Sequence, residues 1–176
     1  MELGELKNLF ENYCLKKRSF KNKHLIGIEY ENFILVQNDR KKDNFFQPLS
    51  IDRDPGILSV LDNLVELTKN SDEPLEKIFE NKKLFSLKNS SGSKITIEPG
   101  GQIELSDAPR SSLFEANEKI QNHINLLKKA ISSFKGELFF QGVQPFHSLE
   151  KIPFFPKKRY EIMKPHMLKT GTLGQW

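Results

Sequence analysis

Two acidic pairs and a glutamine stand at spacings that suit metal-assisted chemistry on the face of a sheet. The segment Ile95 to Pro109, ITIEPGGQIELSDAP, sets Glu98, Gln102 and Glu104 around a Pro-Gly-Gly step. Alternation of Ile95, Ile97, Ile103 and Leu105 predicts extended chain, and Gly100 and Gly101 permit positive φ and a close backbone approach. If Pro99 to Gly101 form a three-residue turn, Glu98 pairs with Gln102 and Thr96 with Glu104, and paired residues share a face. A continuous strand gives the same grouping, whereas a two-residue Gly-Gly turn sets Glu98 opposite Ile103 and splits the acidic pair. The second pair lies in Leu25 to Val36, LIGIEYENFILV, where a strand would point Gly27, Glu29 and Glu31 one way. Phe33 and Leu35 continue that face into apolar residues, which predicts that it is partly covered. Covered carboxylates need a cation, a proton or hydrogen bonds, and Mg²⁺ would supply the first. The alternative is a half-exposed strand whose glutamates meet water.

A basic segment completes the set. Pro153 to Tyr160, PFFPKKRY, places three cations after an apolar, proline-bounded stretch and opens a short helix with Pro156 at its first position. Lys157 and Arg159 would then lie near a helix N-terminus, which attracts anions, and arginine can grip two oxygens at once. The alternative is a solvated basic turn.

The blocks IGIEYE, ITIEPGGQIELSDAP and PFFPKKRYEIMKPHMLKTGTLGQ, in this order, resemble the matching blocks of glutamate-cysteine ligases of the plant and proteobacterial type. EPGGQ-x-ELS is the most specific of them, the E-x-E strand is weak alone, and the resemblance spans about Leu25 to Gln175. It implies a glutamine synthetase-like carboxylate-amine ligase, in which acidic residues of an antiparallel sheet hold Mg²⁺ against the phosphates of ATP. The implied reaction phosphorylates the side chain of glutamate, and the amine of cysteine then attacks to give γ-glutamylcysteine, the first step toward glutathione. Carried over by motif position, Glu29, Glu31, Glu98 and Glu104 are implied metal ligands, and Gln102, Lys157, Arg159 and Tyr160 implied substrate or nucleotide contacts. Which glutamate meets which ion stays open, as does the amine acceptor. Another ligase of the same superfamily and a non-catalytic nucleotide-binding or chain-association module are the alternatives.

Departures fall in the third block, where Pro165 is expected to interrupt the helix, His166 stands near an expected aromatic, and GTLGQW replaces the usual Leu-Asp after the glycine. Family members are considerably longer, so the resemblance implies that residues 1–176 are a single domain equivalent to the N-terminal part of the ligase catalytic domain, truncated or split. Little activity alone, and association with itself or with a second chain, are the corresponding expectations.

The elements that must position these residues follow from periodicity. Residues 2 to 17 read as an amphipathic helix, 25 to 36 as a strand, and Pro55 to Lys69 as a helix with Leu58, Leu61, Leu64 and Val65 on one face. Lys83 to Leu87, Lys94 to Glu98 and Gln102 to Ser106 predict an antiparallel meander, with Asn89-Ser90-Ser91-Gly92 turning the first pair. Pro109 to Phe134 is a long helix stopped at Gly136, with His123 at the edge of its apolar stripe, and Gly136 to Gln144 a further strand. Asn38 to Asp54 reads as a mobile loop, followed by Asn70 to Pro74. The fold class is α+β, an antiparallel sheet backed by helices.

Composition narrows the alternatives. A net charge of +4 comes from 27 basic and 23 acidic residues scattered along the chain, and the 14 phenylalanines fall mostly at apolar positions, so nucleic-acid binding is not indicated. Lys16, Lys17 and Arg18 read as a helix C-terminal complement. The single cysteine, Cys14, excludes an internal disulfide, suits a reducing cytosol and sits at a packing position. His24, His123, His147 and His166 lack zinc-site spacing. Apolar runs are too short for a membrane span or signal core, so a cytoplasmic protein is expected.

Overall fold

The computed structural model describes residues 3–11, 25–37, 46–51, 53–80, 82–143 and 147–171. It is an α+β fold in element order α1 (Leu3–Phe10), β1 (Glu29–Gln37), β2 (Phe46–Pro48), α2 (Ile57–Thr68), β3 (Glu76–Glu80), β4 (Lys83–Lys88), β5 (Lys94–Ile97), β6 (Ile103–Ser106), α3 (Leu113–Ile131), β7 (Gly136–Phe139) and α4 (Lys158–Thr170). The seven strands form one antiparallel sheet in the order β2-β1-β6-β5-β4-β3, with β7 also on β1. The predicted meander is present as β4, β5 and β6. Among the described residues, no helix is long and apolar enough to cross a membrane.

Alternation along the strands creates two chemically different faces. Ile34 of β1, Leu87 of β4, Ile95 and Ile97 of β5, and Ile103 and Leu105 of β6 are buried against Ile57, Val60, Leu61 and Leu64 of α2 and Leu127, Ala130 and Ile131 of α3. Each such aliphatic side chain contributes about 1.5–3 kcal/mol relative to exposure. Asn63 Nδ2 donates to Ala130 O across the two helices at 2.8 Å. Ser112 caps α3 by accepting from Glu115 N, and Glu115 reciprocates toward Ser111. His123, expected at the stripe's edge, is instead 5% exposed, and desolvation lowers its pKa to about 4.

Other expectations are corrected. The stretch read as the loop Asn38 to Asp54 contains β2, and β3 precedes the meander although its EKIFE sequence gave no apolar run. β3 is a sheet edge, where charged residues are tolerated because one side lacks a partner strand. α3 ends through a short 3₁₀ turn with Lys135, not Gly136, at positive φ, and Gly136 serves close packing because a Cβ there would lie 2.9 Å from Ile131 Cβ. Pro156 precedes the helix cap Lys157 rather than opening α4, and α4 runs through Pro165 instead of stopping there. Cys14, Lys16, Lys17, Arg18 and the second half of the predicted first helix lie outside the described residues.

Candidate functional site

The turn after β5 decides where the acidic residues go. Glu98 N donates to Gln102 O and Gly101 N to Glu98 O, both at 2.9 Å, closing a three-residue turn over Pro99, Gly100 and Gly101. Thr96 therefore pairs with Glu104 and Ile97 with Ile103, so Glu98, Gln102 and Glu104 share the face away from the apolar core. Gly101 has φ +85°, and a Cβ there would lie 2.9 Å from Ile57 Cδ1. We expect Gly101→Ala to destabilise the chain by about 1–3 kcal/mol, read as a lower urea midpoint, because strained φ and overpacking act together.

β1 adds the second pair. Its register sets Glu31 directly opposite Glu104 and Glu29 opposite Ser106. All four candidate glutamates thus lie on one sheet face. Glu29 and Glu31 are exposed, against the expectation of cover, although Leu35 further along the same face is buried. Partial desolvation, then the charges of Glu104, Glu98 and Glu29, push the Glu31 carboxyl above its ordinary range. Ser106 Oγ and Thr96 Oγ1 donate to Glu104 Oε1 at 2.7 and 3.2 Å. Among the described residues, no three His, Cys, Asp or Glu side chains converge as a preformed metal cage.

The basic segment docks onto the glycine turn. Phe155 N donates to Pro99 O at 2.9 Å, and the hydroxyl of Tyr160, 1% exposed, has two acceptors within reach of its single proton, Glu98 Oε1 at 3.2 Å and Ile97 O at 3.3 Å. Arg159 Nη2 donates to Tyr160 Oη at 2.8 Å and lies 3.6 Å from Glu98 Oε1. The guanidinium is largely exposed, so that contact is weak in energy but leaves donors available to a ligand. Lys157 is placed differently: its ammonium is buried among the rings of Phe85, Tyr160 and Phe155 at 4.7, 5.1 and 5.8 Å. Desolvation pushes its pKa down, with Glu98 opposing. The described geometry makes Lys157 an anchor beneath the site and Arg159 the accessible cation. Gln102 is half-buried, and its Oε1 has no hydrogen-bond partner among the described residues.

Sequence reading assigned nothing to Asp107 and Arg110, which form the best-made ion pair near these carboxylates. Arg110 Nε and Nη2 grip both Asp107 oxygens at 2.6 and 2.7 Å, and Ser93 Oγ donates to Asp107 Oδ1 at 2.5 Å. Their i, i+3 spacing inside a proline-containing loop gives no periodic signal; only the adjacency to ELS could have drawn attention. A cavity of about 540 Å³ opens on the helix side of the sheet, among Glu73, Asn89, Asp107, Lys119 and His123, and includes none of the eight candidate residues.

Residues 25–176 match the glutamate-cysteine ligase family 2 (GCS2). The chain is similar to the chloroplastic glutamate-cysteine ligase of Arabidopsis thaliana, 34% identical over 154 residues covering 88% of this chain and 27% of the relative. The Brassica juncea enzyme is 33% identical over the same coverage, and chloroplastic glutamate-cysteine ligase A of Oryza sativa subsp. japonica is 35% identical over 150 residues, 85% of this chain and 27% of the relative. The chain therefore spans about a quarter of the length of these curated relatives. With the first two sequence blocks on the adjoining strands β1, β6 and β5, the start of the third docked on the turn between β5 and β6, and a family match covering all three, the chain belongs to glutamate-cysteine ligase family 2.

Proposed function

We propose that this chain carries the metal-phosphate part of a glutamate-cysteine ligase site, joining glutamate to cysteine at the expense of ATP. The observation that supports it most is the register of β1 and β6, which sets Glu31 opposite Glu104 on the face that also holds Glu29 and Glu98. Like charges facing one another across strands are unfavourable unless a cation joins them. The donor set fits Mg²⁺, a hard ion bound through one or two carboxylates with waters and phosphate oxygens, so a preformed cage is not required. When bound, Mg²⁺ would supply the positive charge that offsets both the carboxylates and the charge developing in phosphoryl transfer.

The remaining work falls to the chain's own groups. Thr96 and Ser106 hold Glu104 in one rotamer by donating to the same oxygen. Tyr160 fixes Glu98 and is itself held by Arg159 and Lys157, so the position of Arg159 is tied to the acidic face. Arg159 has free donor capacity for a phosphate or substrate carboxylate, and Gln102, whose buried Oε1 has no partner among the described residues, is the candidate amide contact for the substrate. These residues together form the single catalytic-domain unit proposed for residues 1–176.

The test is ADP release and γ-glutamylcysteine formation by the purified chain with ATP, Mg²⁺, glutamate and cysteine. We expect Mg²⁺-dependent nucleotide binding, with turnover low alone and raised by any polypeptide supplying further family segments. Absence of Mg²⁺-dependent ATP binding would refute the proposal. Exposed Phe154, Ile162, Met163 and Leu168 on and before α4 support association with such a polypeptide or with a second copy. A cytoplasmic location rests on the low cysteine usage; the relatives above carry chloroplastic names, and fractionation of the expressed protein decides.

A further inference from the structure

We propose that Asp107 and Arg110 are positioning residues that clamp the start of β1 in register with β6, and so keep Glu29 and Glu31 facing Ser106 and Glu104. The metal consequence rests on the function proposed above; the register consequence does not. β1 enters the sheet through two contacts outside the named strands. Asp107 N donates to Ile28 O at 3.0 Å, and Ile26 and Arg110 exchange both backbone hydrogen bonds at 2.8 Å. Both contacts hang on the short loop 107–110, which carries Pro109 and has no ladder of its own.

What gives that loop one shape is the Asp107 carboxylate, 1% exposed at its side chain. Arg110 grips it through two nitrogens, and Ser93, from the turn between β4 and β5, donates to it while accepting from Ala108 N at 3.2 Å. Ser93 N is held in turn by Asn89 Oδ1 at 2.9 Å. The β4–β5 turn, the end of β6 and the start of β1 are thus joined at one buried carboxylate. Bidentate arginine fixes direction as well as distance. Its effect is large for the site because a strand has a period of two: a slip of one residue would send Glu29 and Glu31 to the core face and Tyr30 to the acidic one. β6 is held separately by its hairpin with β5, and β1 is held by β7 and β2 only from Phe33 onward, so loss of the clamp loosens the start of β1 through Glu31 and not Glu104.

The experiment compares the full wild-type chain with Asp107→Asn, Ser93→Ala and Leu127→Ala, the last a core substitution remote from the clamp, under conditions where each is folded. Amide hydrogen exchange is read first. In Asp107→Asn the amides of Ile26, Asp107 and Arg110 should exchange about tenfold faster or more relative to the β5–β6 ladder, with a smaller selective change in Ser93→Ala and none in Leu127→Ala. Ser93→Ala keeps the test decisive if Asp107→Asn does not fold. Mn²⁺ then serves as a paramagnetic probe. In the wild type it should broaden the amides of residues 29–31 and of Glu104, and in Asp107→Asn broadening at 29–31 should need about tenfold more Mn²⁺ while that at Glu104 is retained. Uniform exchange across the variants, or equal weakening at both strands, overturns the clamp. No Mn²⁺ effect in the wild type with the exchange pattern intact would overturn the metal reading and leave the clamp standing.

Discussion

Glu31→Gln is expected to stabilise the metal-free chain by about 0.5 kcal/mol and to weaken Mg²⁺ binding at least about tenfold, two effects of opposite sign from one lost charge. Glu31 stands opposite Glu104 and within the field of Glu98 and Glu29, and among the described residues no hydrogen bond or ion pair compensates it. Its carboxyl is pushed upward by desolvation first and by these three charges next. The sign follows: with the folded pKa above the unfolded one, ionised Glu31 opposes folding at neutral pH, and stability returns as the pH falls through the folded value. Mg²⁺ competes with that proton, so its affinity should fall over the same interval. Glu104→Gln should weaken Mg²⁺ as well, but it also alters a side chain that accepts from Ser106 and Thr96, so less stabilisation is expected. Urea unfolding and calorimetric titration at neutral pH separate the terms. Unchanged Mg²⁺ affinity in both variants would remove these glutamates from the metal site. A destabilised metal-free Glu31→Gln would show that repulsion is already balanced.

The legible and illegible parts of this fold divide along a physical line. Alternating isoleucines foretold β5 and β6, and the 3.6-residue apolar repeat foretold α2 and α3, because burial on one face leaves a periodic trace. Whether Glu98 and Glu104 share a face depended on one residue of turn length. The structure settles this through Glu98 N to Gln102 O and the φ of Gly101, neither of which alternation can supply. β3 escaped notice because an edge strand with Glu76, Lys77 and Glu80 carries little of the apolar signal that marks an inner one. Lys157 reads as a surface cation by composition, yet the neighbouring rings of Phe155 and Tyr160 and the distant ring of Phe85 surround it. Asp107, Arg110 and Ser93 meet only once the β4–β5 turn is folded beside the end of β6. Long-range polar convergence of that kind has no local pattern.

Acid should unfold the chain in two separable stages, the first set by His123 and the second by Asp107. His123 is buried and lies beside a cavity shared with Asp72, Glu73, Asp107 and Lys119, and desolvation lowers its pKa to about 4. It therefore stays neutral when folded, whereas the unfolded chain takes up a proton near pH ~6.5. Stability is full above that pH and falls by about 3 kcal/mol as the pH drops toward 4. For Asp107, desolvation pushes upward, but hydrogen bonds from Arg110 and Ser93 outweigh it and leave the carboxyl below its usual range. Its contribution is complete above the unfolded value of ~3.9 and is lost as the pH falls through the lower folded value. Asp107→Asn should cost about 3 kcal/mol at neutral pH, since it leaves Arg110 without its partner, and should erase only the lower stage. His123→Leu should erase only the upper one. Urea midpoints between pH 7 and 3 test both. A wild-type profile flat from pH 6.5 to 4 would mean that the folded protein protonates His123 without penalty, and a lower stage surviving Asp107→Asn would assign acid lability to carboxylates outside this clamp.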